Sequence, residues 1–207
     1  MKNFITFEGC DGVGKSFQIN LLKDYCKKHS LNNVVFTREP GGSVVAEKIR
    51  DIILDAKNDS ITDLCEAFLY SASRAQHVEE KILPALKEGK TVICDRFVDS
   101  SYVYQGVGRG LGLEKVVALN AIAVGECMPQ YTVFLDLPPK QAFLRKGGVD
   151  KTDRLEIADI SFHEALYDAY KQLIKTYPER FIVIDASGTI AETHEKIIRA
   201  LTLRNVL

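Results

Sequence analysis

The chain is predicted to fold as an α/β protein, a three-layer sandwich in which helices flank a five-stranded parallel sheet. Three observations predict this. Short β-branched runs alternate with helical patterns along the chain. Those runs are near-continuously apolar, as strands covered on both faces must be. Most of them end in a polar or charged residue followed by a loop: Glu8, Arg38, Asp95, Asp136 and Asp185. In an open parallel sheet ligands bind beyond the carboxyl ends of the strands, so the chemistry is sought there.

The expected strands are Phe4 to Glu8, Val34 to Arg38, Thr91 to Asp95, Thr132 to Asp136 and Phe181 to Asp185. The expected helices lie near Ser16 to His29, Val44 to Leu54, Asp63 to Glu88, Leu113 to Val124, Ser161 to Tyr177 and Ala191 to Thr202. One domain, residues 1–207, accommodates them all. The stretch 145–154 breaks the rhythm, with Gly147-Gly148 set among Arg145, Lys146, Lys151 and Arg154. It is too polar for core and too glycine-rich for a firm helix, and reads as a short mobile lid.

Composition excludes several classes. Hydrophobic residues are 46%, charged residues 27% and the formal net charge is -1. A nucleic-acid polymer would call for a basic excess that is absent. The five cysteines are odd in number and form no C-x-x-C pair, which argues against a disulfide framework or zinc site and fits a reducing cytoplasm. The sequence shows no signal peptide and no apolar run of membrane-spanning length.

The first strand runs into Gly9-Cys10-Asp11-Gly12-Val13-Gly14-Lys15-Ser16, a full match to G-x-x-x-x-G-K-[ST] between a strand and a helix. Glycines let the backbone curl so that N–H groups converge on phosphate oxygens, and the following helix adds its positive end. Lys15 can reach the β- and γ-phosphates and the Ser16 hydroxyl can ligate Mg²⁺. The expected architecture is therefore of the P-loop NTPase type. The loop does not by itself name a reaction. The Asn-Lys-x-Asp string that reads guanine in GTPases is missing.

Four further segments offer an acceptor site. Thr37-Arg38-Glu39-Pro40-Gly41-Gly42 puts a phosphate-matching guanidinium before a tight turn, with a Glu39–Pro40 bond that can be cis. Asp95-Arg96 ends a buried strand; Asp95 can hold Mg²⁺ through water or accept from Ser16, and Arg96 can grip a phosphate opposite Arg38. Tyr70 and Arg74, four apart, share a helix face and can stack on a base and donate to its rim. Taken alone, Phe68, Tyr70 and His77 read better as core, and His77 is read as structural. Asp99 to Gly106 adds hydroxyl, amide and phenol groups.

Together these segments resemble thymidylate kinase, within the nucleoside-monophosphate kinase group. The resemblance rests on Phe7 to Ser16, Thr37 to Gly42, Ser73-Arg74-Ala75-Gln76-His77, Asp95-Arg96 with Ser100 to Gly106, and Asp153-Arg154-Leu155-Glu156, in the family's order. It implies γ-phosphoryl transfer from ATP, with Mg²⁺, to dTMP, and a homodimer. It implies that Asp11 accepts from the 3′-hydroxyl and that Arg38 and Arg96 bind the dTMP phosphate. Tyr70 would stack on thymine and Arg74 donate to its O4. Ser101 and Gln105 would line the base edge, and Tyr104 would crowd the sugar's 2′ position. The loop Asp185 to Thr189 resembles the adenine side. Where some members carry a catalytic arginine after the P-loop Asp, this chain has Gly12, so the charge is expected from the lid, with Arg145 and Arg154 as candidates beside Lys146 and Lys151.

A kinase acting on another small acceptor, or a nucleotide-driven switch, shares the loop; a switch has no reason for a second phosphate clamp. Cys10, set among inward N–H groups near Lys15, is expected to have a lowered pKa.

Overall fold

The structure is a computed structural model that describes residues 2–146 and 159–207. Most of the expected lid, Lys151 and Arg154 included, lies outside the described residues, as does the Asp153-Arg154-Leu155-Glu156 string. The strands are β1 (Phe4–Glu8), β2 (Val34–Arg38), β3 (Thr91–Asp95), β4 (Tyr131–Asp136) and β5 (Phe181–Asp185). Between and after them run α1 (Lys15–Lys28), α2 (Val44–Leu54), α3 (Asp63–His77), α4 (Leu83–Lys87), α5 (Val98–Ser101), α6 (Leu113–Val124), α7 (Pro139–Lys146), α8 (Ile160–Thr176) and α9 (Ile190–Thr202).

All neighbouring strands pair in parallel in the order β2-β3-β1-β4-β5. The chain leaves β1 to one side and returns past it to the other. The crevice beyond the ends of β1 and β3 is therefore the switch point where ligands settle. Loop hydrogen bonds stitch those ends together: Arg96 N–H donates to Phe7 O at 3.0 Å and Glu39 N–H to Asp95 O at 2.9 Å.

Strand alternation divides the core. Phe4 faces one apolar layer with Phe97, Val103, Val116 and Tyr170. Ile5 and Phe7 face the other with Leu22, Leu135 and Ile197. Glu8 shares the parity of Phe4, so its carboxyl enters the layer that holds α8 and the chain after β3. Burial on both faces holds for the interiors of β1, β3 and β4 and fails at the edges. β2 is half-buried, Arg38 is exposed, and Val183 of β5 is 43% exposed. An edge strand has a neighbour on one side only.

The helix expected across 63–88 is a continuous helical rod with one defect. A π turn, Val78–Ile82, separates α3 from α4. Pro84 sits at the start of α4 and lacks the amide hydrogen that would continue regular bonding. Two helical pieces depart from the sequence reading. Residues 98–108 form α5 and a second π segment, Tyr102–Gly108. α7 occupies 139–146, so Arg145 ends a helix instead of opening a loose lid.

On α5, the fully buried Asp99 accepts from both Arg180 Nη atoms at 2.5 and 2.7 Å and from the Thr132 hydroxyl at 2.9 Å. Removing one partner of such a pair strands a buried charge. Arg180→Leu is expected to lower the unfolding free energy by about 3 kcal/mol in urea titrations. A loss below about 1 kcal/mol would mean the pair behaves as a surface contact.

Candidate active site

The phosphate loop takes the conformation its glycines permit. Gly9, Gly12 and Gly14 have φ of 143°, 80° and 95°. At Gly9 a Cβ would also press on the Leu135 carbonyl. The first turn of α1 carries no acidic residue, which leaves its positive end open to an anion. Lys15 is buried and folds over the loop, donating to Gly9 O at 2.7 Å and Cys10 O at 3.0 Å. Burial, then the nearby Arg96, lowers its pKa. The Ser16 hydroxyl donates to Asp95 Oδ2 at 2.8 Å.

Arg96 follows β3 with φ 64°, a left-handed conformation rare for a long side chain. Its guanidinium donates to Ser100 Oγ at 3.0 Å, Tyr104 OH at 3.2 Å, Tyr170 OH at 3.4 Å and Asp11 Oδ1. Tyr104 OH donates to the other Asp11 oxygen at 2.7 Å. Burial would push the Asp11 carboxyl up, but Arg96, Lys15 and Tyr104 outweigh it and hold it well below the usual range. Glu8, fully buried, accepts from Phe97 N–H, Ser100 N–H, Ser100 Oγ and Tyr170 OH. Burial dominates there and raises its pKa.

Arg38 is tethered differently. It pairs with Glu47 at 2.8 Å with its side chain 54% exposed. Exposed pairs contribute about 0–1 kcal/mol, so this one yields readily to a phosphate. The Glu39–Pro40 peptide is cis, and Gly41 and Gly42 have φ of 114° and 89°. A Cβ on Gly42 would strike the His77 ring and the Thr37 hydroxyl. Glu39 turns inward and accepts Arg74 Nε at 2.8 Å and His77 Nδ1 at 2.9 Å. His77 Nε2 meets Thr37 Oγ1 at 2.7 Å, so this histidine is structural, as expected. Arg74 Nη1 donates to Ser101 Oγ at 3.1 Å and to Asn120 Oδ1. Its guanidinium lies over the Phe97 ring, 5.2 Å from the centroid.

One cleft of about 630 Å³ gathers most of the expected residues. Asp11, Gly12, Gly14, Lys15, Ser16, Arg38, Tyr70, Arg74, Asp95, Arg96, Ser101, Tyr104 and Gln105 line it. Gly9, Cys10 and Val13 belong to the loop but do not line this cleft. Arg145 stands apart: Nη1 donates to Ala186 O at 2.5 Å, and Nη2 to Ser187 O at 2.5 Å and Gly188 O at 3.1 Å. In this conformation it serves the β5–α9 loop and not the phosphate loop.

Comparison with known proteins agrees with this geometry. The thymidylate kinase family model matches residues 7–197. The chain belongs to the thymidylate kinase family. It is 50% identical over 198 residues to a thymidylate kinase of Caldanaerobacter subterraneus subsp. tengcongensis, covering 96% of this chain and 94% of that one. It is 48% identical over 204 residues to one of Finegoldia magna, covering 99% and 100%. The crystal structure of thymidylate kinase from Ehrlichia chaffeensis superposes with a TM-score of 0.78 at 33% identity, covering 96% of this chain and 97% of that chain.

This member of the thymidylate kinase family uses residues that sequence reasoning passed over. Arg50 lines the cleft and donates to Pro40 O at 2.9 Å. Its signal was a charge on the stripe of α2 that holds the buried Ala46 and Ile53. Tyr170 lies likewise on the buried stripe of α8 with Leu166 and Leu173. Asn120 is a buried amide on α6. Glu39 sat between the two halves of a quoted motif, and a carboxylate there signals a partner for a buried guanidinium.

The Cys10 expectation is reversed. Burial pushes its thiol up to about 12 and outweighs Lys15. Iodoacetamide at pH 8 is therefore expected to leave Cys10 unmodified while the exposed Cys65 reacts, as read by peptide mass spectrometry. Alkylation of Cys10 at the Cys65 rate would overturn this.

Proposed function

We propose that the chain, as one domain, transfers the γ-phosphoryl group of ATP to dTMP, giving dTDP and ADP for dTTP synthesis. The observation that carries it is a single cleft. It joins the phosphate loop at Lys15 and Ser16 to a second cationic clamp at Arg38 and Arg96 and to a base wall at Tyr70, Arg74 and Gln105. An acceptor phosphate already bears a nucleophilic oxygen, so no general base is needed. Catalysis then comes from positioning and from charge placed where the transferring group develops it.

Arg96, held in place on several sides, fixes the acceptor phosphate, and Arg38 closes from its soft tether. Asp11 has lone pairs beyond those used by Arg96 and Tyr104 and accepts the 3′-hydroxyl. Tyr104, immobilised by Asp11, walls the 2′ side of the sugar. Tyr70 stacks on thymine, Arg74 donates to O4, and Ser101 completes the base edge. Gly9, Cys10, Gly12, Val13 and Gly14 shape the ATP side. The Ser16 hydroxyl and the Asp95 carboxylate are hard oxygen donors 2.8 Å apart, a fit for a largely hydrated Mg²⁺. Mg²⁺ held there supplies neutralisation of the ATP phosphate oxygens. Arg145 reaches the phosphates only by leaving its three carbonyls, which favours Arg154 of the expected lid as the source of the remaining charge.

A homodimer fits the apolar side chains left exposed on α2, α3 and α6: Val45, Ile52, Leu64, Phe68, Leu113 and Val117. Five free cysteines fit a cytoplasmic setting. Among the described residues no helix is long and apolar enough to cross a membrane.

A coupled ADP-release assay across the nucleoside monophosphates is expected to show turnover with ATP that depends on dTMP. ATP turnover indifferent to dTMP would sink the kinase reading, and preference for dCMP or AMP would sink the thymine assignment. Arg74→Lys keeps the charge but loses the planar fork. It is expected to raise KM for dTMP about tenfold, within the range of a charged hydrogen bond, and leave KM for ATP near its starting value. Phe68→Glu is expected to give monomers in sedimentation equilibrium; dimers unaffected by it would place the interface elsewhere.

A further inference from the structure

Gln105 reaches the acceptor cleft from the π segment, and one end of its amide is already committed. Its Nε2 donates to Glu66 Oε1 at 2.9 Å. Glu66 is fully buried on α3. Arg109 closes on the same carboxylate, Nε to Oε1 at 3.2 Å and Nη2 to Oε2 at 3.1 Å. A carboxylate gripped by a guanidinium is ionised, and an ionised carboxylate only accepts. The amide therefore has one orientation: NH₂ toward Glu66, carbonyl Oε1 away from it. Gln105 lines the cleft, and its Oε1 has no hydrogen-bond partner among the described residues.

We propose that Glu66 is a specificity-positioning residue, which holds the Gln105 amide so that only an acceptor faces the bound pyrimidine and cytosine is thereby rejected. The inference rests on the reading of this cleft as the acceptor-base pocket. Thymine presents N3–H, a donor, beside O4, an acceptor. Cytosine presents N3 as an acceptor beside an amino donor. Arg74 Nη2, without a partner among the described residues, supplies the donor for O4. Gln105 Oε1 supplies the acceptor for N3–H. Cytosine thus meets acceptor with acceptor and donor with donor, and each mismatch leaves a buried polar group unpaired. A Gln105 amide free to turn over would remove one of the two mismatches. Glu66, which touches no substrate, forbids that turn. Arg109 serves the same end by keeping Glu66 ionised, and it is itself steadied over the Phe162 ring at 5.8 Å.

The test compares kcat/KM for dTMP and dCMP, with dCMP read as a competitive inhibitor where turnover is slow. Glu66→Gln keeps shape but can donate as well as accept, so it releases the amide. The ratio of kcat/KM values is expected to fall by about tenfold or more, through tighter dCMP binding, with kcat for dTMP kept within about threefold. An unchanged ratio in folded Glu66→Gln protein overturns the proposal. Gln105→Ala separates it from the reading beneath. If that change leaves both KM for dTMP and the ratio untouched, the cleft is not the base pocket and both fall. If Gln105→Ala weakens dTMP while Glu66→Gln leaves the ratio alone, only the role of Glu66 falls. A measurement on the unsubstituted enzyme covers a variant that does not fold. The Gln105 side-chain NH₂ signals, assigned by their loss in another folded Gln105 variant, are expected to exchange slowly with water before dTMP is added. Rapid exchange would show the amide facing the cleft by its nitrogen and overturn the proposal.

Discussion

A guanidinium withdrawn from water must find partners for its donors, and that demand at Arg96 organises the cleft. Four partners arrive from three parts of the chain: Asp11 from the phosphate loop, Ser100 and Tyr104 from the chain after β3, Tyr170 from α8. Glu8, behind them, gathers Ser100 and Tyr170 in turn. The loop that meets one phosphate is thus hydrogen-bonded to the side chain placed to meet the other. Such preorganisation matters because reorganisation during transfer would add to the barrier.

The three cleft arginines are graded in how firmly their pairing holds them. Arg96 is largely enclosed by a ring of oxygens and held in a left-handed backbone. Arg74 is buried against Glu39, Ser101 and Asn120, each from a different part of the chain. Arg38 has, among the described residues, a single half-exposed partner in Glu47. The two firmly held groups are thus the fixed points of the cleft, and the exposed one is the group that moves at least cost.

The sheet and the phosphate loop were legible because each is encoded locally. Five apolar runs mark five strands, and an octapeptide marks the loop. That Arg38, Arg74 and Arg96 would share one cleft was legible through motif order, since they stand far apart along the chain and no local period connects them. What escaped was of two kinds. Residues 98–108 and 139–146 are short helical pieces packed against α3, α6 and α8, and propensity does not report such tertiary support. Glu66, Asn120 and Tyr170 work by holding other side chains, and a buried polar residue on an apolar stripe looks from sequence like an error in the stripe. Cys10 shows the converse. Proximity to Lys15 was readable, but burial, the larger influence, was not.

α3 carries several duties on one rod. Leu64 and Phe68 face outward. Glu66, Tyr70, Arg74 and His77, spaced by fours and a three, face inward to the Gln105 amide, the cleft and Glu39. Their relative bearing is set by helical phase, at about 100° per residue. A deletion of one residue between Glu66 and His77 would turn one part of that series out of register with the rest. The helix can therefore drift in composition over evolutionary time, one side chain after another, while its length stays frozen.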